Sequence, residues 1–121
     1  CCYTLRMRVE FYQTVHGRIP VEDEIDSLPT QASARAYQLL EEIEKRGFDA
    51  SRVMFRLIRG KLWEIKMKLP GIGGFRIFYF SLEEGIILLL HAFSKKTQKA
   101  PQRHIETALK RMADVIERRR K

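Results

Sequence analysis

The sequence has few cysteines, no long hydrophobic segment and no recognisable export signal. Its two cysteines, Cys1 and Cys2, are neighbours, and they provide neither a disulfide framework nor metal-site spacing. No run approaches the roughly 18 apolar residues that a membrane-spanning helix needs. We therefore expect a cytoplasmic protein. Because Met7 is a plausible start, residues 1–6 are expected to be a leader or a remnant of expression.

Histidines and glycines do not form the patterns of common active sites. His16, His91 and His104 are scattered, without cysteines or carboxylates at metal-ligand spacing. The glycines of residues 70–74 lie between two predicted strands, so they indicate a turn and not a nucleotide-binding loop before a helix. The sequence predicts no metal and no small-molecule cofactor.

Positive charge is concentrated in the second half of the 121-residue chain, whose formal net charge is +8. Residues 1–60 contain nine basic and nine acidic residues, whereas residues 61–121 contain fourteen basic and six acidic residues. This asymmetry indicates a polyanionic partner, most simply nucleic acid, although a solubilising surface would give the same counts. Binding to an anionic membrane is disfavoured, because no strongly amphipathic helix carries bulky exposed anchors.

Apolar periodicity predicts one α+β domain over residues 1–121. The predicted order is strand, helix, helix, strand, strand, strand, helix. This order corresponds to a mostly antiparallel four-stranded sheet with two N-terminal helices and one C-terminal helix packed on it. Residues 48–59 have no clear pattern, and their apolar side chains are expected to pack under the sheet: Met54, Phe55, Leu57 and Ile58.

Four cations far apart in the sequence are expected to converge on this sheet. Lys66 lies on the face of one strand, Arg76 lies on the next strand, and Lys95 and Lys96 follow the last strand. RNA cleavage by its own 2′-hydroxyl needs a base, charge stabilisation at phosphorus and an acid for the leaving oxygen. A lysine crowded by like charges can serve as the base, and arginine binds phosphate oxygens bidentately.

Three segments resemble the RelE superfamily of bacterial toxins, and specifically the HigB-type, phage-derived branch of type II toxin–antitoxin systems. They read LWEIKMKLPGIGGFRIFYF, IILLLHAFSKKTQKAP and IETALKRM, and the F-x-K-K-T-x-K-x-P element is the most specific part. The resemblance runs in order from Arg8 to about Arg111 and implies a RelE-like fold. It also implies a metal-independent endoribonuclease that cleaves mRNA on the ribosome, with a cognate helix-turn-helix antitoxin as its partner.

The resemblance also implies roles for individual residues. Lys66 matches the proposed base, Arg76 matches the arginine that holds the scissile phosphate, and Lys95 or Lys96 matches the cation that balances transition-state charge. Glu64 stands where the best-studied branch has a second lysine. Pro101 and Gln102 stand where some members have an aromatic hydroxyl.

The general acid is therefore unassigned, and His104 is the nearest titratable candidate. Lys68, Lys99 and Arg103 are expected to bind RNA. Two alternatives stay open: a non-catalytic basic module that binds RNA or the ribosome and retains the toxin fold, and a structural partner of an acidic protein.

Overall fold

The computed structural model describes residues 7–94 and 102–120, which contain both β-strands and α-helices. The elements are β1 (Arg8–Phe11), α1 (Pro20–Asp26), α2 (Thr30–Arg46), a 3-10 turn (Gly47–Asp49), β2 (Val53–Arg59), β3 (Leu62–Leu69), β4 (Gly73–Glu83), β5 (Ile86–Ser94) and α3 (Gln102–Arg119). The expected leader, residues 1–6, lies outside the described residues. Within the described ranges, no helix is both long enough and apolar enough to cross a membrane.

The strands form one mixed sheet in the order β1-β5-β4-β3-β2. β1 is parallel to β5, and the other three neighbouring pairs are antiparallel. The α+β class is confirmed, but the prediction of four strands is wrong in detail. β2 is an additional edge strand, and the two helices described as N-terminal follow β1, as the predicted order of elements also has it.

The hairpin of β3 and β4 forms where apolar and polar residues alternate in β3 and where β4 is rich in aromatic and aliphatic residues. Gly71 and Gly73 have φ values of 75° and 85° in the connecting turn, a region that side chains with a Cβ rarely adopt. The turn sets the register so that Lys66 lies directly opposite Arg76. The predicted approach of these two residues is therefore confirmed.

Helices cover both faces of the sheet. α1 and α2 pack on the face formed by side chains such as Ile65, Phe75 and Ile77, and the predicted apolar stripe of α2 is buried there. α3 packs on the opposite face, against side chains such as Phe78 and Leu90. We call these the α2 face and the α3 face.

Two expectations about packing are wrong. The apolar periodicity of the last helix predicts a seam of Ile105, Leu109, Met112 and Ile116, with Ala108 and Val115 on its flank. In the structure Ala108 and Val115 are the most buried of these residues, whereas Ile116 is 39% exposed. The small Ala108 side chain permits the helix to approach the sheet closely. Met54 and Leu57 of β2 are 66% and 51% exposed, because they lie on an edge strand that neither helix layer covers fully.

Candidate nucleic-acid interface

Four residues form a row across the α3 face, one from each of four neighbouring strands. Pairing places Met54 opposite Lys66, Lys66 opposite Arg76, and Arg76 opposite Phe93. Because adjacent strands lie about 4.8 Å apart, Lys66 and Phe93 are separated by only about 10 Å. α3 packs mainly on β4 and β5, so this face is more open over β2 and β3.

The expected role of Arg76 required an exposed side chain, but Arg76 is buried. Its residue exposure is 5%, and that of Glu64 is 1%. Arg76 Nη1 lies 2.8 Å from both Oε1 and Oε2 of Glu64, which gives a buried ion pair. The expected exposure of Arg76 is therefore wrong, because the guanidinium is buried and paired with Glu64.

Glu64 reaches Arg76 because of the register of the hairpin. Glu64 lies opposite Phe78, which is two residues from Arg76 on the same face, so the carboxylate is a diagonal neighbour of the guanidinium. The sequence alternation placed Glu64 and Lys66 on one face but did not indicate that the carboxylate would be buried. The spacing of the hairpin could have predicted this contact, because assigning the turn to residues 70–74 places Glu64 diagonally opposite Arg76.

Lys66 is the accessible cation of the row. It is half-buried, and within residues 7–94 and 102–120 no carboxylate forms an ion pair with it. The nearest acidic residue on its own strand, Glu64, is already neutralised by Arg76. An anion approaching Lys66 would therefore meet uncompensated positive charge.

The other predicted cations are only partly placed. Lys68 is exposed on β3 opposite Gly74, and Arg103 is exposed in the first turn of α3. Lys95, Lys96 and Lys99 lie outside the described residues. Of the four cations expected to converge, the structure thus brings together Lys66 and Arg76.

An aromatic stack extends the row from β5 to α3. The rings of Phe93 and His104 are parallel within 4°, with centroids 4.1 Å apart. His91 Nε2 lies 2.6 Å from His104 Nδ1, which links the two imidazoles by a hydrogen bond. His104 therefore lies on the same face as Lys66, although no pattern in the sequence pairs it with His91.

Arg111 fixes the direction of this hydrogen bond. Arg111 Nη1 donates to the backbone oxygen of Leu90 at 2.9 Å and lies 3.2 Å from His91 Nδ1. Because arginine only donates, His91 Nδ1 must accept, and the proton of neutral His91 is on Nε2. His91 then donates to Nδ1 of His104, so the neutral His104 ring carries its own proton on Nε2.

Protonation of either imidazole is unfavourable in this arrangement. Burial, followed by the charges of His104 and Arg111, lowers the pKa of His91 to about 4. Burial, followed by the charge of Arg103, also lowers the pKa of His104. A general acid must carry a transferable proton at working pH, so these contacts favour His104 as a hydrogen-bond donor over the expected acid.

Residues 23–113, which span most of the described fold, match the model of the phage-derived Gp49-like protein family (DUF891). The chain belongs to the Gp49-like family. This family is linked to the toxins of toxin–antitoxin systems. No curated protein matches the chain.

The Gp49-like match includes the strands and the helix that build the row and the histidine pair. Behind that pair, a cleft of about 250 Å³ is lined by residues of α1, β5 and α3: Arg18, Pro20, Asp23, Glu24, Ser27, His91, Ala92 and Arg111. In the part of the chain that the structure describes, no three histidine, cysteine or acidic residues are grouped as metal ligands.

Proposed function

We propose that this Gp49-like chain is the toxin of a type II toxin–antitoxin system and that it cleaves mRNA on the ribosome. The observation that carries the proposal is the position of Lys66, an accessible cation on the open part of the α3 face, beside an already neutralised Glu64. The basic second half of the chain adds long-range attraction for RNA. The proposed partner is a helix-turn-helix antitoxin, as the resemblance to HigB-type toxins implies.

In this proposal the RNA supplies its own nucleophile. Lys66 first releases its own proton to solvent, and its neutral amine then removes the proton from the 2′-hydroxyl, whose oxygen attacks the adjacent phosphorus while the bond to the 5′-oxygen breaks. The products are a cyclic 2′,3′-phosphate and a 5′-hydroxyl, and the leaving 5′-oxygen takes up one proton. No metal is required for these steps, because positively charged side chains stabilise the phosphoryl oxygens.

Arg76 has an indirect role in this version of the mechanism. Its guanidinium compensates the carboxylate of Glu64, which would otherwise repel a phosphate beside Lys66. The Nε2–H of His104, which its contacts hold in that tautomer, is a suitable donor to a phosphate oxygen. Lys95 and Lys96 stay predictions as further cations.

The leaving-group acid is proposed to come from the ribosome. His104, the acid candidate from the sequence, accepts a hydrogen bond from His91 at its Nδ1, and its pKa is lowered. A site completed only on the ribosome would confine cleavage to translated mRNA.

Induced expression tests the proposal. The wild-type chain should stop growth and produce mRNA cuts within translated regions, which primer extension detects. Lys66→Ala should reduce cleavage by about 100-fold, the lower range for loss of a general base. Lys45→Ala is the matched control, since Lys45 is exposed on α2, behind the opposite face. If Lys66→Ala cleaved like Lys45→Ala, the proposed chemistry would be wrong.

The buried Arg76–Glu64 pair favours one second candidate, a non-catalytic module that binds RNA or the ribosome. In that case the chain would bind ribosomes and slow translation without producing new mRNA ends. Measuring ribosome binding and mRNA ends in the same induced cells separates the two functions.

A further inference from the structure

An aromatic groove lies at the edge of the sheet and shares one residue, Met54, with the row that contains Lys66. Its volume is about 640 Å³, and it is lined by Phe48, Val53, Met54, Phe55, Trp63, Tyr79 and Ser81. Phe48 and Trp63 are 57% and 37% exposed, and the neighbouring Leu57 is 51% exposed. Exposed apolar side chains grouped in this way mark interaction sites on soluble proteins.

The rings in the groove are held in a fixed arrangement. Phe48 and Phe55 meet edge to face with centroids 5.0 Å apart, and Phe55 meets Tyr79 in the same way at 6.2 Å. The Tyr79 hydroxyl is buried and has no hydrogen-bond partner among the described residues. A preformed apolar groove lined by aromatic rings suits a ligand that brings apolar side chains.

The groove runs beside β2, the edge strand of the sheet. Within the described ranges, β2 pairs only with β3, so its outer edge presents unpaired backbone donors and acceptors. Proteins usually protect such an edge, and an added strand from a partner is a common way to cover it. These backbone groups match a polypeptide and not a nucleic acid.

Charge selects the kind of polypeptide. Every charged residue of the segment 50–63 is basic: Arg52, Arg56, Arg59 and Lys61. None of the four forms an ion pair with a described carboxylate. A second copy of this chain would bring the same cations together, whereas a segment rich in carboxylates would neutralise them.

We propose that an acidic and apolar segment of the antitoxin adds as a strand to the outer edge of β2 and places its apolar side chains in the aromatic groove. The identity of the partner rests on the proposed toxin function. Most of the groove lies on the α2 face, with Met54 as the residue shared with the row, whereas Lys66 lies on the α3 face. Docking at β2 therefore need not cover the residues proposed to contact RNA.

Titration with the purified antitoxin encoded beside the gene of this chain tests the proposal. Phe48→Glu and Leu57→Glu place a carboxylate on the docking surface, and each should weaken binding by about tenfold or more. Val15→Glu is the matched control, because Val15 is also apolar and is 77% exposed outside the groove. Hydrogen exchange of residues 53–59 should slow when wild-type chain and antitoxin are mixed.

The outcomes separate this proposal from the toxin function. Variants that stay toxic alone but are no longer neutralised by the antitoxin would support docking at β2. Wild-type affinity in both groove variants, or unchanged exchange in β2, would overturn it. If both variants lost single-stranded RNA binding but kept antitoxin binding, the groove would be an RNA site and the docking proposal would be wrong. A wild-type chain without toxicity would contradict the proposed function, while the titration would still test the groove.

Discussion

Arg76 and Glu64 form an ion pair that is almost completely removed from solvent, with Nη1 2.8 Å from each carboxylate oxygen. The Nε atom of the same arginine is buried without a partner among the described residues. Burial of two charges costs solvation energy that their attraction only partly returns. The pair therefore adds little net stability. Its main effect is that Arg76 neutralises the Glu64 carboxylate beside Lys66.

Removing one partner of this pair should destabilise the fold strongly. Arg76→Met leaves the Glu64 carboxylate buried and unpaired, so we expect the free energy of unfolding to fall by about 3–5 kcal/mol. Urea denaturation followed by circular dichroism measures this change. The double variant Glu64→Leu/Arg76→Met should lie within about 1 kcal/mol of wild type or be more stable, because neither buried charge remains. Equal losses in the single and double variants would contradict this account.

Lys66 should contribute one phosphate contact to RNA binding. Replacing it with alanine should lower the affinity for single-stranded RNA, and the log–log dependence of affinity on salt should become shallower by about 0.7. Fluorescence anisotropy at several salt concentrations measures both effects. Lys45→Ala removes the same charge behind the opposite face and should leave the slope unchanged, so equal slopes in all three proteins would argue against a contact at Lys66.

Stability should fall as the pH is lowered through the range between 6.5 and about 4. In this range the unfolded chain protonates His91, whose ordinary pKa is 6.5, whereas the folded chain keeps the ring neutral because its pKa is about 4. The unfolded state then binds more protons, so lower pH favours unfolding, with no further loss from this group below pH 4. His91 is half-buried, and with solvent screening we expect about 1–2 kcal/mol.

Two measurements check this pH effect. Nuclear magnetic resonance titration of the His91 ring protons should show a neutral imidazole at pH 5. Other charged or titratable groups that lie near the His91 ring can also contribute to the pH dependence: His104, Arg111, Arg18, Asp23 and Glu24. His91→Gln should make the loss of stability with falling pH smaller, and an identical loss in that variant would assign it to other groups.

The contacts of His91 should hold His104 in a single neutral tautomer. Nitrogen-15 spectra of the wild-type protein at neutral pH should show a protonated Nε2 and an unprotonated Nδ1 in His104. Arg111→Met removes the donor to His91 Nδ1, so both rings should then exchange between tautomers. A protonated Nδ1 in the wild-type ring would reverse the assigned direction of the hydrogen bonds.

The sequence predicted the strands whose local residue pattern matches their burial in the sheet. Alternation identified β3, an apolar-rich run identified β4, and the glycines of residues 70–74 identified their turn. Together these predicted that Lys66 and Arg76 are neighbours. β2 was missed because its apolar residues do not alternate. A register shift between Leu57 and Arg59 interrupts the period of two, and an edge strand has less buried surface to impose one.

The environment of each candidate residue depended on contacts between distant segments. Exposure of Arg76 was expected because a charged residue in a strand usually faces solvent, but α3 covers much of that face and Glu64 lies within reach. The link from Arg111 through His91 to His104 joins α3 to β5. No pattern within a single element contains that information.

The sequence by itself determined the α+β class, the excess of positive charge in the second half and the hairpin that aligns Lys66 with Arg76, because periodicity, composition and turn residues are local properties. Only the tertiary structure decided which of these cations is buried, which nitrogen of His104 holds the proton, and which strand lies at the edge of the sheet beside β3. Solvent exposure and hydrogen-bond direction follow from the packing of helices on both faces of the sheet, and that packing joins residues far apart in the chain.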